Sequence, residues 1–103
     1  MKSLTQEQWS SLLKETPNAI TLDVRTEIEV EEGKIPGALN LDIFNPQNFV
    51  SKLEHMDKSN HYFVYCKAGS RSAQACAVMQ QMGFNHTYNL EGGFSNWTGE
   101  VEF

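Results

Sequence analysis

Three stretches of the chain have the apolar spacing of an amphipathic helix. The first spans residues 5 to 15 and opens on a capping-box sequence. The second begins where Asn45 is placed as a cap and Pro46 occupies the first helical position. The third runs over residues 70 to 82, and Gly83 follows as the residue that ends it. The pattern therefore predicts three main helices.

Other stretches have the short apolar runs or the two-residue alternation of β-strands. Residues 20 to 24 form a mostly apolar run, and residues 39 to 43 alternate between apolar and polar side chains. Residues 61 to 65 are rich in aromatic residues and predict the strongest strand, and residues 86 to 90 predict the last one. A glycine pair at 92 and 93 then leads into a short amphipathic segment that contains Phe94 and Trp97.

Strands and helices alternate along the chain, which fixes the expected fold class. Consecutive strands joined by helices pair in parallel through right-handed crossovers, which place helices on both faces of the sheet. We therefore predict a three-layer α/β fold with a central, mostly parallel sheet. The sequence contains no repeat and no low-complexity linker, so we expect one domain over residues 1 to 103. Ligands of such sheets bind at the carboxyl ends of the strands.

Composition and charge narrow the possible functions. Thirteen acidic residues outnumber eight basic ones, and the net charge of −5 disfavours nucleic-acid binding. The first residues contain no apolar run of the length needed for a secretion signal or a membrane span, so we expect a cytoplasmic protein without membrane association. Two cysteines do not make a disulfide framework, and both thiols are expected to be free.

Cys66 lies at the carboxyl end of the strongest predicted strand, directly before the third helix. The backbone amides of this strand-to-helix turn are expected to converge on the cysteine, with help from the cations of Lys67 and Arg71. The expected result is a thiolate nucleophile in an anion-binding loop. The loop consists of Lys67, Ala68, Gly69, Ser70, Arg71 and Ser72. Gly69 permits the tight backbone curl, and Ser70 or Ser72 can cap the helix or reach the sulfur.

The alternative interpretation is that Cys66 is only a buried small hydrophobic residue and that Gly69 is only part of a turn. The glycine, serines and cations around Cys66 favour the functional interpretation. Cys76 is the contrasting case, because it lies between two alanines inside the third helix and has no cation nearby in the sequence. We predict an inert, packed thiol at Cys76 and no disulfide between the two cysteines.

Several segments, taken in order, carry a resemblance to a known family. They are Asp23-Val24-Arg25 with Glu29, the segment Gly33 to Asn40, the loop Cys66-x-x-Gly69-x-Arg71-Ser72, and Gly92-Gly93-Phe94-x-x-Trp97. In this order and spacing the chain resembles a single-domain rhodanese over nearly its whole length. The resemblance implies a rhodanese-like fold and a sulfurtransferase in which Cys66 takes a sulfane sulfur from thiosulfate or a related donor. The cysteine would hold the sulfur as a persulfide and pass it to an acceptor.

Asp23 and Arg25 are expected at the same sheet edge as the Cys66 loop, where they could support the site. The alternative is that they form ion pairs, Arg25 with Glu29 or Asp23 with Arg71. The Arg71 guanidinium could clamp an oxyanion or pair with a carboxylate, and the sequence does not decide between these roles. Lys67 is the better candidate for attracting an anionic donor. No histidine has metal-ligand spacing with the cysteines, so neither a metal nor a cofactor is expected.

Two other functions are alternatives to catalytic sulfur transfer. Related folds with a cysteine and an arginine in a longer loop act as phosphatases or arsenate reductases, but only four residues separate Cys66 from Arg71 here. A noncatalytic interaction module, or a dedicated persulfide relay, is the other alternative, although such modules usually lack the cysteine. The expected partners are thiosulfate or a persulfide as donor, and cyanide, a thiol or thioredoxin as acceptor.

Overall fold

A computed structural model describes residues 1–103 and contains one five-stranded sheet in which every strand pairs in parallel. The strands are β1 (Lys2–Leu4), β2 (Ala19–Asp23), β3 (Leu39–Asn40), β4 (His61–Tyr65) and β5 (Thr87–Leu90). Their order across the sheet is β1-β5-β4-β2-β3. The α-helices are α1 (Gln6–Glu15), α2 (Glu27–Glu31), α3 (Pro46–Glu54) and α4 (Ser70–Gln81), and a 3₁₀ turn covers Phe94–Asn96. The predicted α/β fold is confirmed.

The central strand β4 supplies side chains to two separate hydrophobic cores. Tyr62 and Val64 belong to the core under α3 and α4, whereas Phe63 and Tyr65 belong to the core that contains Trp9 of α1. This division follows from the two-residue period of a strand, which sends successive side chains to opposite faces. These four of the five β4 residues are fully buried, so the sheet lies between two helical layers.

Local sequence signals explain where two of the helices begin. The Thr5 side chain accepts a hydrogen bond from the Gln8 amide, and the Gln8 side-chain oxygen accepts one from the Thr5 amide, as the capping-box pattern predicts. Thr26 and Glu29 form a second capping box at the start of α2. Sequence analysis missed α2, although the Thr-x-x-Glu spacing of this box was present in the chain.

The structure differs from the sequence prediction in the length of β3 and in the presence of one further strand. Strand β3 covers only residues 39 and 40, not 39 to 43. Leu41 and Ile43 still donate to the carbonyls of Asp23 and Val24, but β2 ends at Asp23 and the chain turns from residue 43 onward. Asn45 is the N-cap residue of α3 and Pro46 opens the helix, as predicted, although the Asn45 side chain makes no capping hydrogen bond. Strand β1 was not predicted, and it pairs with β5 from Lys2↔Tyr88 to Leu4↔Leu90. Its three residues are too few for a detectable alternation.

The parallel register places the ends of β2, β4 and β5 at one edge of the sheet. Asp23 at the end of β2 is level with Tyr65 at the end of β4, and Val64 is level with Asn89. Cys66 follows directly and therefore lies at the edge where ligands of such sheets bind.

None of the helices has both the length and the apolar character that a bilayer crossing requires.

Candidate active site around Cys66

Cys66 begins the loop that joins β4 to α4, and its side chain is enclosed by that loop. The residue is 1% exposed. The Gly69 amide donates to Cys66 Sγ at 3.0 Å, and the Ser72 hydroxyl lies 3.3 Å from the same sulfur. Gly69 adopts φ = +110°, a left-handed conformation that favours glycine and that turns its amide toward the sulfur. The loop thus encloses the sulfur as a ring of donors.

The pKa of the Cys66 thiol is lowered, although burial works in the opposite direction. Burial is the largest single influence and raises the pKa, because it disfavours the charged sulfur. Hydrogen bonds from the Ser72 side chain and from the amides of Ser72, Gly69 and Ala68 outweigh burial and lower the pKa. The amides therefore act as the sequence predicted. The Arg71 cation also interacts favourably with a charged sulfur, because the Cys66 charge is among the causes that raise the Arg71 pKa.

The segment after β5 braces the outer side of the Cys66 loop. The Phe94 amide donates to the Cys66 carbonyl at 2.8 Å, and the Ser95 amide donates to the Lys67 carbonyl at 2.9 Å. Gly93 allows this approach, since a Cβ atom at that position would lie 2.5 Å from the Lys67 carbonyl oxygen and 2.6 Å from that of Cys66. With both carbonyls held on the outside, the loop amides remain available to the sulfur.

Asp23 and Arg25 form a buried ion pair with each other. The guanidinium of Arg25 contacts the Asp23 carboxylate at 2.6 Å and donates to the Gly33 carbonyl at 2.8 Å, and both side chains are almost fully buried. Asp23 also accepts from the Tyr65 hydroxyl at 2.6 Å, and burial together with this contact raises the Tyr65 pKa. The pairing of Arg25 with Glu29 or of Asp23 with Arg71 that the sequence left open is therefore wrong. The pair fixes the loop after β2 against the end of β4.

Arg71 points toward α2. Its guanidinium makes two hydrogen bonds to the Glu29 carboxylate, at 2.7 and 2.8 Å, and lies 5.3 Å from the ring centroid of Phe44. The contact with Arg71 is the main cause that lowers the Glu29 pKa to about 2. Of the two roles open for Arg71, the geometry favours the internal carboxylate pair over an oxyanion clamp.

Lys67 follows Cys66 directly in the chain and lines an open cavity of about 270 Å³. The other lining residues are Arg25, Glu29, Glu32, Phe94 and Ser95. Arg25 and Glu29 are engaged in their ion pairs, whereas the Lys67 side chain is exposed and makes no salt bridge. Lys67 is thus the cation of this cavity that is available to an incoming anion.

The remaining predicted residues differ in their access to the sulfur. Ser72 is buried and contacts Cys66, whereas Ser70 is exposed and opens α4. Cys76 is fully buried, and burial raises its pKa to about 11, which opposes thiolate formation. Both cysteines are free. The geometry therefore brings Cys66, the loop amides and Ser72 together and leaves Cys76 outside.

Comparison with known proteins identifies the family of the chain. The sequence pattern of the rhodanese-like domain matches residues 5–100. The chain belongs to the rhodanese-like domain family. A sulfurtransferase from Allochromatium vinosum is 33% identical over 98 residues, which cover 94% of this chain and 88% of that protein. A rhodanese-like domain protein from Staphylococcus aureus has 30% identity and a TM-score of 0.84, with 100% of this chain and 98% of that chain covered.

A further relative carries a different name. A tRNA uridine(34) hydroxylase from Legionella pneumophila is 33% identical over 101 residues, but the match covers 95% of this chain and only 39% of that protein. The rhodanese-like domain therefore also occurs inside a larger protein. The family resemblance predicted from the sequence is confirmed.

Sequence analysis missed one side chain that touches the rhodanese loop. Asn89 of β5 is 5% exposed, its amide oxygen accepts from the Ser72 hydroxyl, and its amide nitrogen lies 3.4 Å from the Gly69 carbonyl. The available signal was a polar residue inside the otherwise apolar run from Tyr88 to Leu90. Its contacts depend on the pairing of β5 with β4 and could not be read from spacing.

Proposed function

We propose that this protein is a sulfurtransferase that carries a sulfane sulfur as a persulfide on Cys66. The observation that carries the proposal is the enclosure of a lowered-pKa thiol by the Gly69 amide and the Ser72 hydroxyl at the end of β4. Membership of the rhodanese-like family and the sulfurtransferase named among its relatives support transfer of sulfur as the general chemistry. The donor and the acceptor are part of the proposal.

The proposed reaction is two successive displacements on sulfur. The Cys66 thiolate attacks the outer sulfur of thiosulfate, a new S–S bond forms, and sulfite leaves with the electron pair of the old S–S bond. An acceptor thiolate or cyanide then attacks the outer persulfide sulfur, and the Cys66 thiolate leaves with its electron pair. The loop amides suit this chemistry, because they stabilise negative charge on sulfur in both steps. Lys67, which lines the neighbouring cavity, attracts the anionic donor.

The contacts of Arg71 disfavour the alternative function of a phosphatase or arsenate reductase. Such an activity needs a cation over the oxyanion, but the Arg71 guanidinium is engaged by the Glu29 carboxylate through two hydrogen bonds. Only four residues separate Cys66 from Arg71, which leaves less space for a tetrahedral oxyanion. These observations favour a sulfur atom as the group bound by the loop.

Intact-protein mass spectrometry after thiosulfate treatment tests the proposal directly. We expect the protein to gain the mass of one sulfur atom on Cys66 and to lose it on addition of cyanide, with formation of thiocyanate. Cys66→Ser should remove the gain. The matched control is Cys76→Ser, which should keep the gain because the Cys76 thiol is buried away from the loop.

Two results would contradict the proposal. Retention of the mass gain in the Cys66→Ser protein would assign the chemistry to another group. Hydrolysis of aryl phosphates through Cys66 without any gain of sulfur would favour the phosphatase. A protein that gains sulfur from a persulfide but passes it only to one protein acceptor would act as the dedicated relay that the sequence left as an alternative.

A further inference from the structure

The Ser72 hydroxyl lies between three hydrogen-bond acceptors but carries only one proton. The acceptors are Cys66 Sγ at 3.3 Å, the Gly69 carbonyl at 3.1 Å and the Asn89 side-chain oxygen, which is the nearest of the three. A hydroxyl donates one hydrogen bond at a time. The acceptor to which the Ser72 hydroxyl donates therefore decides whether that hydroxyl stabilises the sulfur.

The orientation of the Asn89 amide follows from its other neighbours. Its nitrogen lies 3.4 Å from the Gly69 carbonyl, which can only accept, and 3.2 Å from the Ser3 hydroxyl on β1. The nitrogen must face these groups, so the amide oxygen faces Ser72 and can only accept its proton. Asn89 and Ser72 are both buried.

We propose that Asn89 is a positioning residue that competes with the Cys66 sulfur for the proton of the Ser72 hydroxyl. With a protonated thiol, Ser72 donates to Asn89 and its oxygen is free to accept from the thiol. With a negatively charged sulfur, the charge-assisted bond to sulfur becomes the stronger one and the hydroxyl turns to it, leaving the Asn89 oxygen without its donor. Asn89 thereby limits how strongly the loop stabilises the thiolate and keeps the sulfur more nucleophilic.

The inference deepens the proposed sulfur transfer, but its test does not require transfer to occur. The pH dependence of iodoacetamide alkylation, followed by peptide mass at Cys66 alone, reports the apparent pKa of this thiol. Ser72→Ala should raise that pKa, because a donor to the sulfur is lost. Asn89→Leu, which is similar in volume, should lower it by about half a unit to one unit, since the proton of Ser72 then goes to the sulfur.

A double-variant comparison separates this role from a structural one. In the Ser72→Ala background, Asn89→Leu should change the apparent pKa of Cys66 by less than a third of its effect in the wild-type background. Ser3→Ala removes only the outer partner of the Asn89 amide and should leave the pKa unchanged. An equal shift in both backgrounds, or no shift on Asn89→Leu while Ser72 is present, overturns the inference.

A second substitution keeps the test decisive if Asn89→Leu does not fold. Asn89→Asp supplies a stronger, charged acceptor for the Ser72 proton and should raise the apparent pKa of Cys66. The rise should be larger with Ser72 present than in the Ser72→Ala background. Equal rises in the two backgrounds overturn the competition between Asn89 and the sulfur. Sulfur loading by thiosulfate, measured on the same proteins, reports separately on the proposed function.

Discussion

Substitution of Gly93 by alanine should loosen the loop that holds Cys66. Gly93 has φ = +58° and ψ = −158°, a region of backbone conformation that is almost restricted to glycine and that costs other residues about 1 to 3 kcal/mol. The added Cβ would lie 2.5 Å from the Lys67 carbonyl oxygen, well inside van der Waals contact. Because that neighbour is backbone, either the loop or the 3₁₀ segment must move.

The movement should break the two hydrogen bonds from Phe94 and Ser95 to the loop carbonyls. Each is worth about 1 kcal/mol, so with the backbone strain we expect the free energy of unfolding to fall by about 3 to 5 kcal/mol. For a domain of this size such a loss lowers the melting temperature by about 12 to 30 °C. Calorimetry or thermal denaturation followed by circular dichroism measures the change.

Gly37 offers a matched control for Gly93. Its φ is +80°, but an added Cβ would meet no atom within 4 Å, so Gly37→Ala carries backbone strain without a clash. We expect a loss of about 1 to 2 kcal/mol there and normal sulfur loading of Cys66. Gly93→Ala should reduce sulfur loading even at temperatures where the protein remains folded. If the two variants lose equal stability and load sulfur equally, the bracing role of Gly93 is wrong.

Three further predictions concern charge. Lys67→Ala should raise the KM for thiosulfate more than it lowers kcat, and the rise in KM should be smaller at high salt. Glu32→Gln at the same cavity should lower the KM for thiosulfate, and steady-state kinetics measure both variants. The contact with Arg71 lowers the pKa of Glu29 from about 4.5 to about 2, so the ionised Glu29 stabilises the fold above pH 4.5 and this stabilisation is lost as the pH falls toward 2. Glu29→Gln should therefore make the free energy of unfolding less dependent on pH between these two values. Partial burial lowers the pKa of His61 below its ordinary value of 6.5, so the unfolded chain binds more protons than the folded one just below that pH. The free energy of unfolding should therefore fall as the pH drops through 6.5. His61→Asn should weaken this pH dependence when it is measured by urea titration.

The sequence alone determined the fold class and predicted the position of the candidate nucleophile. Strands and helices alternate with clear periods, and each period is a local property that the chain carries in its own order. Cys66 could be assigned to the end of β4 because the aromatic strand before it and the helix after it are both strong local signals. Gly69 was recognised for the same reason, since a left-handed residue at such a turn is a local requirement.

The ion pairs around the site were decided only by the tertiary structure. Arg25 pairs with Asp23, two residues away, and Arg71 pairs with Glu29, which is 42 residues away in sequence. Any carboxylate near the sheet edge was an equally acceptable partner for either arginine on charge alone. The choice depends on where the unpredicted helix α2 lies over the start of α4.

Contacts to the Cys66 loop from β5 and beyond were likewise invisible in the sequence. Asn89 reaches Ser72 because β5 pairs with β4 in one register, and Gly93 touches the loop because the chain returns across the same edge. Spacing along the chain carries no information on such pairings, which are set by the packing of whole strands. The sequence therefore predicted which sulfur is reactive, and only the tertiary structure identified the residues that hold its loop and contact the Ser72 hydroxyl beside it.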